Sequence, residues 1–257
     1  MGNSVEKVMS ALGVDDERFI EIESKRRVLP EEADAVRKFL LHRKDVGHEG
    51  ERVFFDQFID TAGMDIFRSG ASLRVRYKGN GSRIYLQYKG PGFRREGVLY
   101  RSEFRSDRLT NVLLEESHHD IVHFTGTSIR EILARHVPPE MRRAMILHLG
   151  SGVVRRINCG PIICVYHKDK FILDLDSAFL EPSLDQVFAF HISKNGIHPL
   201  SAFCEYENEI KAPRESLSGK MEHIRDMLAF DKDLIRRFDM PPEPLDKYHR
   251  CASFFIP

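Results

Sequence analysis

The sequence predicts an α+β protein whose core is an eight-stranded antiparallel β-barrel with a charged interior and flanking helices. Six segments alternate in residue type with a period of two, which is typical of strands with two different faces. Their polar faces carry mainly Arg, Lys, Glu and Asp rather than Thr, Ser and Gln. We therefore expect these faces to point inward, around a tunnel. A half-exposed sheet whose polar side faces water is the alternative, and it suits any single strand.

The predicted strands begin at Phe19 and end at Lys211. Residues 72–89 predict a β-hairpin, because Gly79-Asn80-Gly81 separates two alternating runs. The other predicted strands are residues 19–25, 52–61, 98–105, 153–158, 162–167, 171–176 and 203–211. About eight strands are enough to close a small barrel. Two blocks, residues 106–150 and 177–203, carry no motif that we match, and either could form a lid or a specificity element.

Helices are predicted between and after the strands. Pro30 suits the first turn of a helix that runs to about Arg43, and two following glutamates favour the helix dipole. Helical periodicity near residues 128–136 and over residues 215–238 predicts two further helical segments. The proline-rich tail, residues 241–257, predicts an extended strap.

Length and composition fit one domain over residues 1–257, with a core at 19–211 and a C-terminal helix and tail at 215–257. A chain of 257 residues with 42% hydrophobic side chains can bury a sizeable core. Lys plus Arg and Asp plus Glu both number 39, so no global basic field would attract nucleic acid. Any anion binding must therefore be local.

Cysteine usage and hydropathy indicate a cytoplasmic protein that is not bound to membranes. The four cysteines show no CxxC spacing and follow no secretory signal, so we expect reduced thiols. The longest apolar runs are far below the roughly 20 residues needed to cross a bilayer. His118, His119 and His123 are interpreted as a solvated helix or loop, because no cysteine or acid completes a metal-ligand spacing.

Acids and bases are segregated by strand. The hairpin is basic, whereas the first and last predicted strands are mainly acidic. Charges inside a narrow tunnel need partners or a bound ion to offset their desolvation, so cations holding a polyanion and carboxylates holding a metal would suit it. The charged faces are Glu21, Glu23 and Lys25; Arg74, Arg76 and Lys78; Arg83 and Lys89; Arg101, Glu103 and Arg105; Asp174 and Asp176; and Glu205, Glu207, Glu209 and Lys211.

Four segments, in this order along the chain, resemble the motifs of the CYTH superfamily, also called the triphosphate tunnel metalloenzymes. Residues 21–25, Glu-Ile-Glu-Ser-Lys, fit its opening ExExK signature. Phe-Phe-Asp at 54–56, followed by Arg-Ser-Gly-Ala-Ser-Leu-Arg-Val-Arg at 68–76, looks like its GxSLRxR stretch. Lys-Gly-Pro-Gly at 89–92 with Arg-Ser-Glu at 101–103 follows, and Glu-Tyr-Glu-Asn-Glu at 205–209 looks like the closing acidic strand.

The resemblance implies an eight-stranded tunnel that binds a divalent ion, Mg²⁺ or Mn²⁺, which hard carboxylates suit. It implies metal ligands at Glu21, Glu23, Glu207 and Glu209, with Asp174 or Asp176. It implies phosphate ligands at Lys25, Arg74, Arg76, Lys89 and Arg101, where each arginine fork can grip phosphate bidentately. Glu103 would pair with these bases or orient a water, and the implied catalytic set is Glu21, Glu23, Lys25 and Glu103.

One further phosphate ligand is implied by a basic residue that the family often carries in the strand before the late aspartate. Arg155 and Arg156 compete for this role, because neighbours in a strand face opposite sides. We prefer Arg156, which shares its strand parity with the polar Asn158.

The resulting prediction is a metal-dependent phosphohydrolase that cleaves the terminal phosphoanhydride of inorganic triphosphate or a small triphosphorylated compound. The alternatives are an adenylyl cyclase, an RNA 5′-triphosphatase and a non-catalytic sensor of polyphosphate or nucleotides. The full set of acids argues against the sensor, since anion binding needs fewer carboxylates. The zero net charge lends no support to an RNA substrate, although an RNA 5′ end stays open. Both a monomer and a homodimer stay open.

Overall fold

Eight antiparallel strands close into a ring. The computed structural model describes residues 2–78, 83–110 and 123–254. Its strands are β1 (Ile20–Val28), β2 (Gly47–Asp60), β3 (Ser72–Lys78), β4 (Ile84–Lys89), β5 (Phe93–Arg95), β6 (Val98–Arg105), β7 (Cys159–Asp174), β8 (Phe179–Ser193) and β9 (Gly196–Lys211). Their order in the ring is β1-β9-β8-β7-β2-β3-β4-β6, and β6 pairs with β1 to close it. The short β5 pairs with β6 as an additional strand.

The strand register places the charged side chains on the inner face of the ring. Glu23 pairs with Glu209 and Lys25 with Glu207 across β1 and β9. Since directly paired residues of an antiparallel sheet project to the same side, these four side chains share one face. Ile22, which precedes Glu23, is fully buried on the opposite side. Along β1 the ring is therefore charged inside and apolar outside.

Helices cover the apolar outer face. They are α1 (Gly2–Leu12), α2 (Ala33–His42), α3 (Asp65–Arg68), α4 (Gly126–His136), α5 (Pro139–Leu149), α6 (Ser151–Arg156), α7 (Leu217–Glu222), α8 (Ile224–Arg237) and α9 (Lys247–Ala252). One apolar cluster packs α1, α2 and α8 against β1, β8 and β9. A second packs α4 and α5 against β3 and β4. A third lies on the inner face of the ring, where α9 packs against β2, β7 and β8. Burial of this surface, at about 25 cal/mol per Å², is the main force that holds helices to the ring.

The structure confirms the closed eight-stranded arrangement and several predicted elements. The two strands of the hairpin at 72–89 are β3 and β4, and the strand predicted at 98–105 is β6. Helices α4, α7 and α8 fall where helical periodicity predicts them. The helix predicted from Pro30 begins later, at Ala33. The predicted turn Gly79-Asn80-Gly81 and the pair His118 and His119 lie outside the described residues.

The strand predicted at residues 153–158 is wrong, because Ser151–Arg156 form helix α6. Gly150, with φ of +81°, ends α5 and reverses the chain into α6. Its side-chain-free backbone adopts this conformation without steric cost. Two adjacent valines suggested a strand, but Val154 packs against the second apolar cluster from a helix. Tertiary packing overrides the β-propensity here.

The interval 177–203, for which the sequence left a lid or specificity element open, forms β8 and the first half of β9. The strands predicted at 162–167 and 171–176 belong to the single long β7. Pro182 lies within β8, and proline inside a run argues against a paired strand. This is why the run does not resemble a strand in the sequence. In the structure, the β7–β8 pairing is interrupted between Leu180 and Ser183, where Pro182 lies.

The tail is an extended strap only in its first part. Arg26 forms an isolated antiparallel bridge with Pro242. The chain then turns into α9, whose N-cap Asp246 accepts a hydrogen bond from the backbone N–H of His249. No helix of the described residues is long and apolar enough to cross a membrane. All four cysteines are free thiols.

Gln57 supplies a stability test on the outer face of β2. Its side chain is fully buried, donates to the carbonyl oxygens of Phe124 and Gly160 at 2.9 and 3.1 Å, and accepts from the Phe124 N–H at 2.6 Å. We expect Gln57→Ala to lower the free energy of unfolding by about 2 kcal/mol, because it leaves buried backbone groups without partners. Urea unfolding measures the change, and Gln186→Ala, at an exposed position of β8, is the control. Equal losses in the two variants would contradict this account.

Candidate active site

The ring encloses a cavity of about 810 Å³ with a highly charged wall. Fifteen Lys and Arg side chains and nine Asp and Glu side chains of the described residues line it. Small-molecule sites are usually lined mainly by apolar side chains. Because cations outnumber acids in this wall, it is suited to a strongly anionic ligand.

A first group of charges, the Glu21 cluster, lies between β1, β4, β6 and β9. It comprises Glu21, Glu23, Lys89, Arg101, Glu103, Glu209 and Lys211. Carboxylate oxygens of Glu21, Glu103 and Glu209 lie within 4.8 Å of one another. Lys89 Nζ lies 2.8 Å from both oxygens of Glu21, and Arg101 Nε lies 2.8 Å from Oε2 of Glu21. Three carboxylates thus converge in one place.

The Glu21 cluster has four carboxylates for three cations, and the pKa values of two of these carboxylates shift in opposite directions. Burial, with repulsion from Glu21 and Glu103, raises the pKa of Glu209 to about 8, although Lys211 opposes the shift. Burial also acts on Glu21, but there Lys89 and Arg101 outweigh it and hold the pKa well below its usual range. A further cation would relieve the crowding of these carboxylates.

A second group, the Lys247 cluster, lies between β1, β7, β8, β9 and α9. It comprises Lys25, Lys168, Asp185, Glu205, Glu207 and Lys247. Lys247 Nζ lies 2.8 Å from Asp185 and 2.9 Å from Glu207, and Lys25 Nζ lies 2.8 Å from Glu207. Three lysines match three acids here. The lysines hold the pKa of Glu207 well below its usual range against the effect of burial.

A third group, the arginine brace, is formed by Asp56, Arg74 and Arg76. Asp56 is fully buried, and its Oδ2 accepts from Arg74 Nη1 at 2.9 Å and from Arg76 Nη2 at 2.7 Å. Arg76 Nε adds a bond of 2.7 Å to Oδ1. Arg74 also donates to Gln87 Oε1 at 2.8 Å, and Gln87 contacts Glu103. The brace is thereby connected to the Glu21 cluster.

Most side chains predicted for the site do line one cavity. These are Glu21, Glu23, Lys25, Arg74, Arg76, Lys89, Arg101, Glu103, Glu207 and Glu209. Period-two alternation is a local property of each strand, so the correct parity placed each of them on the inner wall. Their roles in binding and catalysis remain predictions at this point.

Three predicted ligands do not line the cavity. Asp174 is exposed at the last residue of β7, and Asp176 is exposed in the turn that follows. Asp174 shares strand parity with the cavity residues Lys168 and Lys170, but it lies beyond the rim of the ring. Arg156 is on α6, where its mostly exposed side chain pairs with Asp65 at 3.2 Å. The metal role predicted for the two aspartates and the phosphate role predicted for Arg156 are therefore corrected.

Several charged residues of the site received no role from the sequence. Lys168 and Lys170 alternate along β7 and could have been recognised as a charged strand face. Asp185 lies on β8, a strand that was not predicted from the sequence. Lys247 enters the cavity from α9, far from the last strand in sequence, and no local pattern predicts its position.

The arginine brace predicts a stability change at acid pH. Despite its burial, Asp56 has a pKa of about 2, lowered from 3.8 by Arg74 and Arg76. A depressed pKa contributes stability that is complete above about pH 4 and is lost as the pH falls through about 2. We expect this contribution to be about 2 kcal/mol in free energy of unfolding.

The measurement is urea unfolding of wild type and Asp56→Asn between pH 2 and 5. The difference between them should shrink toward the acid end, because protonation of Asp56 removes what the substitution removes. Asp176→Asn, at an exposed position, is the matched control. A difference that stays constant over this range would contradict the account.

The comparisons with known proteins agree with this architecture. A structure from Hippeastrum, described as an adenylyl cyclase candidate with a dominant triphosphatase activity, is 17% identical, with 92% of this chain and 97% of that chain covered and a TM-score of 0.53. A chain of the Schizosaccharomyces pombe Mediator head module is 11% identical, with 86% and 97% covered and a TM-score of 0.50. At these identities the likeness shows the fold alone. No curated protein matches the sequence.

The family follows from the sequence match together with this fold. The model of the CYTH domain matches residues 20–149, slightly more than half of the 257 residues. The matched range includes β1 to β6, which carry Glu21, Arg74 and Arg101 into the cavity. This chain belongs to the CYTH domain family.

Proposed function

We propose that this protein is a metal-dependent triphosphatase that cleaves the terminal phosphoanhydride of inorganic triphosphate or a small triphosphorylated compound. One observation carries the proposal: the cationic cavity contains a group of three converging carboxylates, Glu21, Glu103 and Glu209, with oxygens within 4.8 Å. The cations would bind a polyanion. Carboxylates close to a polyanion would repel it unless a metal ion lay between them. The triphosphatase activity described for the Hippeastrum structure supports the same reaction class.

The cations would bind and orient the phosphate groups. Phosphoryl transfer requires little covalent help from a protein, so positioning and electrostatic stabilisation provide most of the catalysis. Asp56 and Gln87 orient Arg74, and Asp56 orients Arg76, so the guanidinium N–H groups that these bonds leave free can donate to a phosphate. Lys89 and Arg101 lie beside Glu21 on the adjoining wall. The proposed phosphate ligands are Lys25, Arg74, Arg76, Lys89 and Arg101.

The Glu21 cluster fits a divalent ion better than the Lys247 cluster does. Its carboxylates outnumber its cations, whereas the acids of the Lys247 cluster are already matched by lysines. Hard oxygen ligands of this kind suit Mg²⁺ or Mn²⁺. Glu21, Glu103 and Glu209 would hold the ion, with Glu23 beside them. When bound, such an ion supplies charge neutralisation at phosphate oxygens and lowers the pKa of a coordinated water.

Glu103 is the residue that we propose to orient the attacking water. Its side chain is 22% exposed, against 5% for Glu21, so it faces the open part of the cavity. Gln87 contacts one Glu103 oxygen, and Lys89 lies 3.6 Å from the same oxygen. These contacts fix the carboxylate while leaving its other oxygen available to accept a hydrogen bond from water.

Removal of one proposed metal ligand tests the proposal. Glu21→Gln keeps the shape of the side chain but removes its charge, and we expect at least a 100-fold loss of kcat, in the range observed for removal of one stabilising group from an active site. The assay follows orthophosphate and pyrophosphate released from tripolyphosphate, ATP and thiamine triphosphate, with Mg²⁺ or Mn²⁺. Glu131→Gln, on the exposed face of α4, is the control and should leave release unchanged.

The products distinguish this proposal from its alternatives. Metal-dependent orthophosphate release that Glu21→Gln abolishes would support the triphosphatase and rank its substrates. Pyrophosphate released from ATP alone would favour a cyclase. Tight binding of tripolyphosphate without release of either product would favour a sensor, and would contradict the proposal.

A further inference from the structure

A buried aspartate lies behind the acidic strands, on the outer side of the ring. Asp231 is on α8 and is 1% exposed. Its Oδ1 accepts hydrogen bonds of 2.9 Å from Tyr206 Oη and from Asn208 Nδ2, and its Oδ2 accepts one from Ser24 Oγ. One carboxylate therefore joins β1, which carries Ser24, to β9, which carries Tyr206 and Asn208.

The residues that Asp231 holds alternate along the chain with residues of the cavity wall. Ser24 lies between Glu23 and Lys25, and Asn208 lies between Glu207 and Glu209. Because successive side chains of a strand project to opposite faces, a bond that fixes Ser24 from outside also fixes its neighbours inside. Ser24 and Asn208 are directly paired in the β1–β9 register. Asp231 therefore forms hydrogen bonds with both strands at one paired position of the β1–β9 register.

We propose that Asp231 is a positioning residue for the Glu21 cluster. By holding β1 and β9 together from outside, it keeps the carboxylates of Glu21 and Glu209 within the spacing that a divalent ion requires. This inference rests on the proposed function, since it concerns the same ion. Outer groups that orient metal ligands affect metal affinity or activity by about 10- to 100-fold when they are changed.

The chemistry of Asp231 favours positioning over a purely stabilising role. No Lys or Arg of the described residues forms an ion pair with it, and the three groups that donate to it are neutral. A buried carboxylate without an ion pair is costly to desolvate, so apolar groups that replaced it together with its three donors could serve simple packing equally well. What the carboxylate adds is two acceptor oxygens that reach two strands at the same time.

The test uses the full-length protein and free Mn²⁺ as the probe. Asp231→Ala removes both acceptor oxygens, so all three bonds to Ser24, Tyr206 and Asn208 are lost. Mn²⁺ binding without substrate is measured from the electron paramagnetic resonance signal of the unbound ion. Urea unfolding and the kcat and KM for tripolyphosphate are measured on the same preparations.

We expect Asp231→Ala to weaken Mn²⁺ binding by about 10-fold or more and to lower kcat. KM for tripolyphosphate should change less, because four of the five proposed phosphate ligands lie on β3, β4 and β6, and Lys25 alone lies on a strand that Asp231 contacts. Gln57→Ala is the matched control, since it also removes bonds of a buried side chain from the outer face but does not contact β1 or β9. It should lose stability without losing Mn²⁺ affinity.

A folded Asp231→Ala protein that binds Mn²⁺ as tightly as wild type would overturn the inference and leave the proposed function intact. Wild-type protein that neither binds Mn²⁺ nor releases orthophosphate would overturn both. If Asp231→Ala does not fold, Ser24→Ala removes only the bond to β1. A loss of Mn²⁺ affinity in Ser24→Ala greater than that in Gln57→Ala supports the inference, and an equal effect contradicts it.

Discussion

Buried charge inside a closed ring of strands is the constraint on which this structure depends. A charged group taken out of water is costly unless a partner of opposite sign lies close by. Here acids and bases face each other across paired strands, as Glu21 faces Arg101 across β1 and β6. On the outer face, most side chains of these strands are apolar. The helices around the ring are therefore needed to bury them.

The charge compensation is uneven, and this unevenness indicates where a ligand would bind. In the Lys247 cluster three lysines match three acids, and Lys247 itself comes from the C-terminal α9. The Glu21 cluster has one carboxylate more than it has cations, and burial together with repulsion from Glu21 and Glu103 raises the pKa of Glu209. The C-terminal segment thus completes one part of the wall, while another part is left for a cation.

Polar side chains buried on the outer face connect this wall to its surroundings. Asp231 joins α8 to β1 and β9, and Gln57 joins β2 to Phe124 and Gly160. Such groups contribute through satisfied hydrogen bonds, which are strongly directional and costly to break when buried. They fix the strands from outside, so that side chains inside keep the geometry that their charges require.

The sequence by itself determined which side of most strands is charged, because alternation depends only on neighbouring residues. Parity placed Glu21, Arg74 and Arg101 correctly, and the order of four motifs indicated the family. Only the tertiary structure decided what depends on distant contacts. Packing made Ser151–Arg156 a helix. Asp174, at the last residue of β7, lies outside the cavity, and α9 places Lys247 beside Asp185. Partners of a buried charge are chosen by three-dimensional proximity, which a period along the chain does not encode.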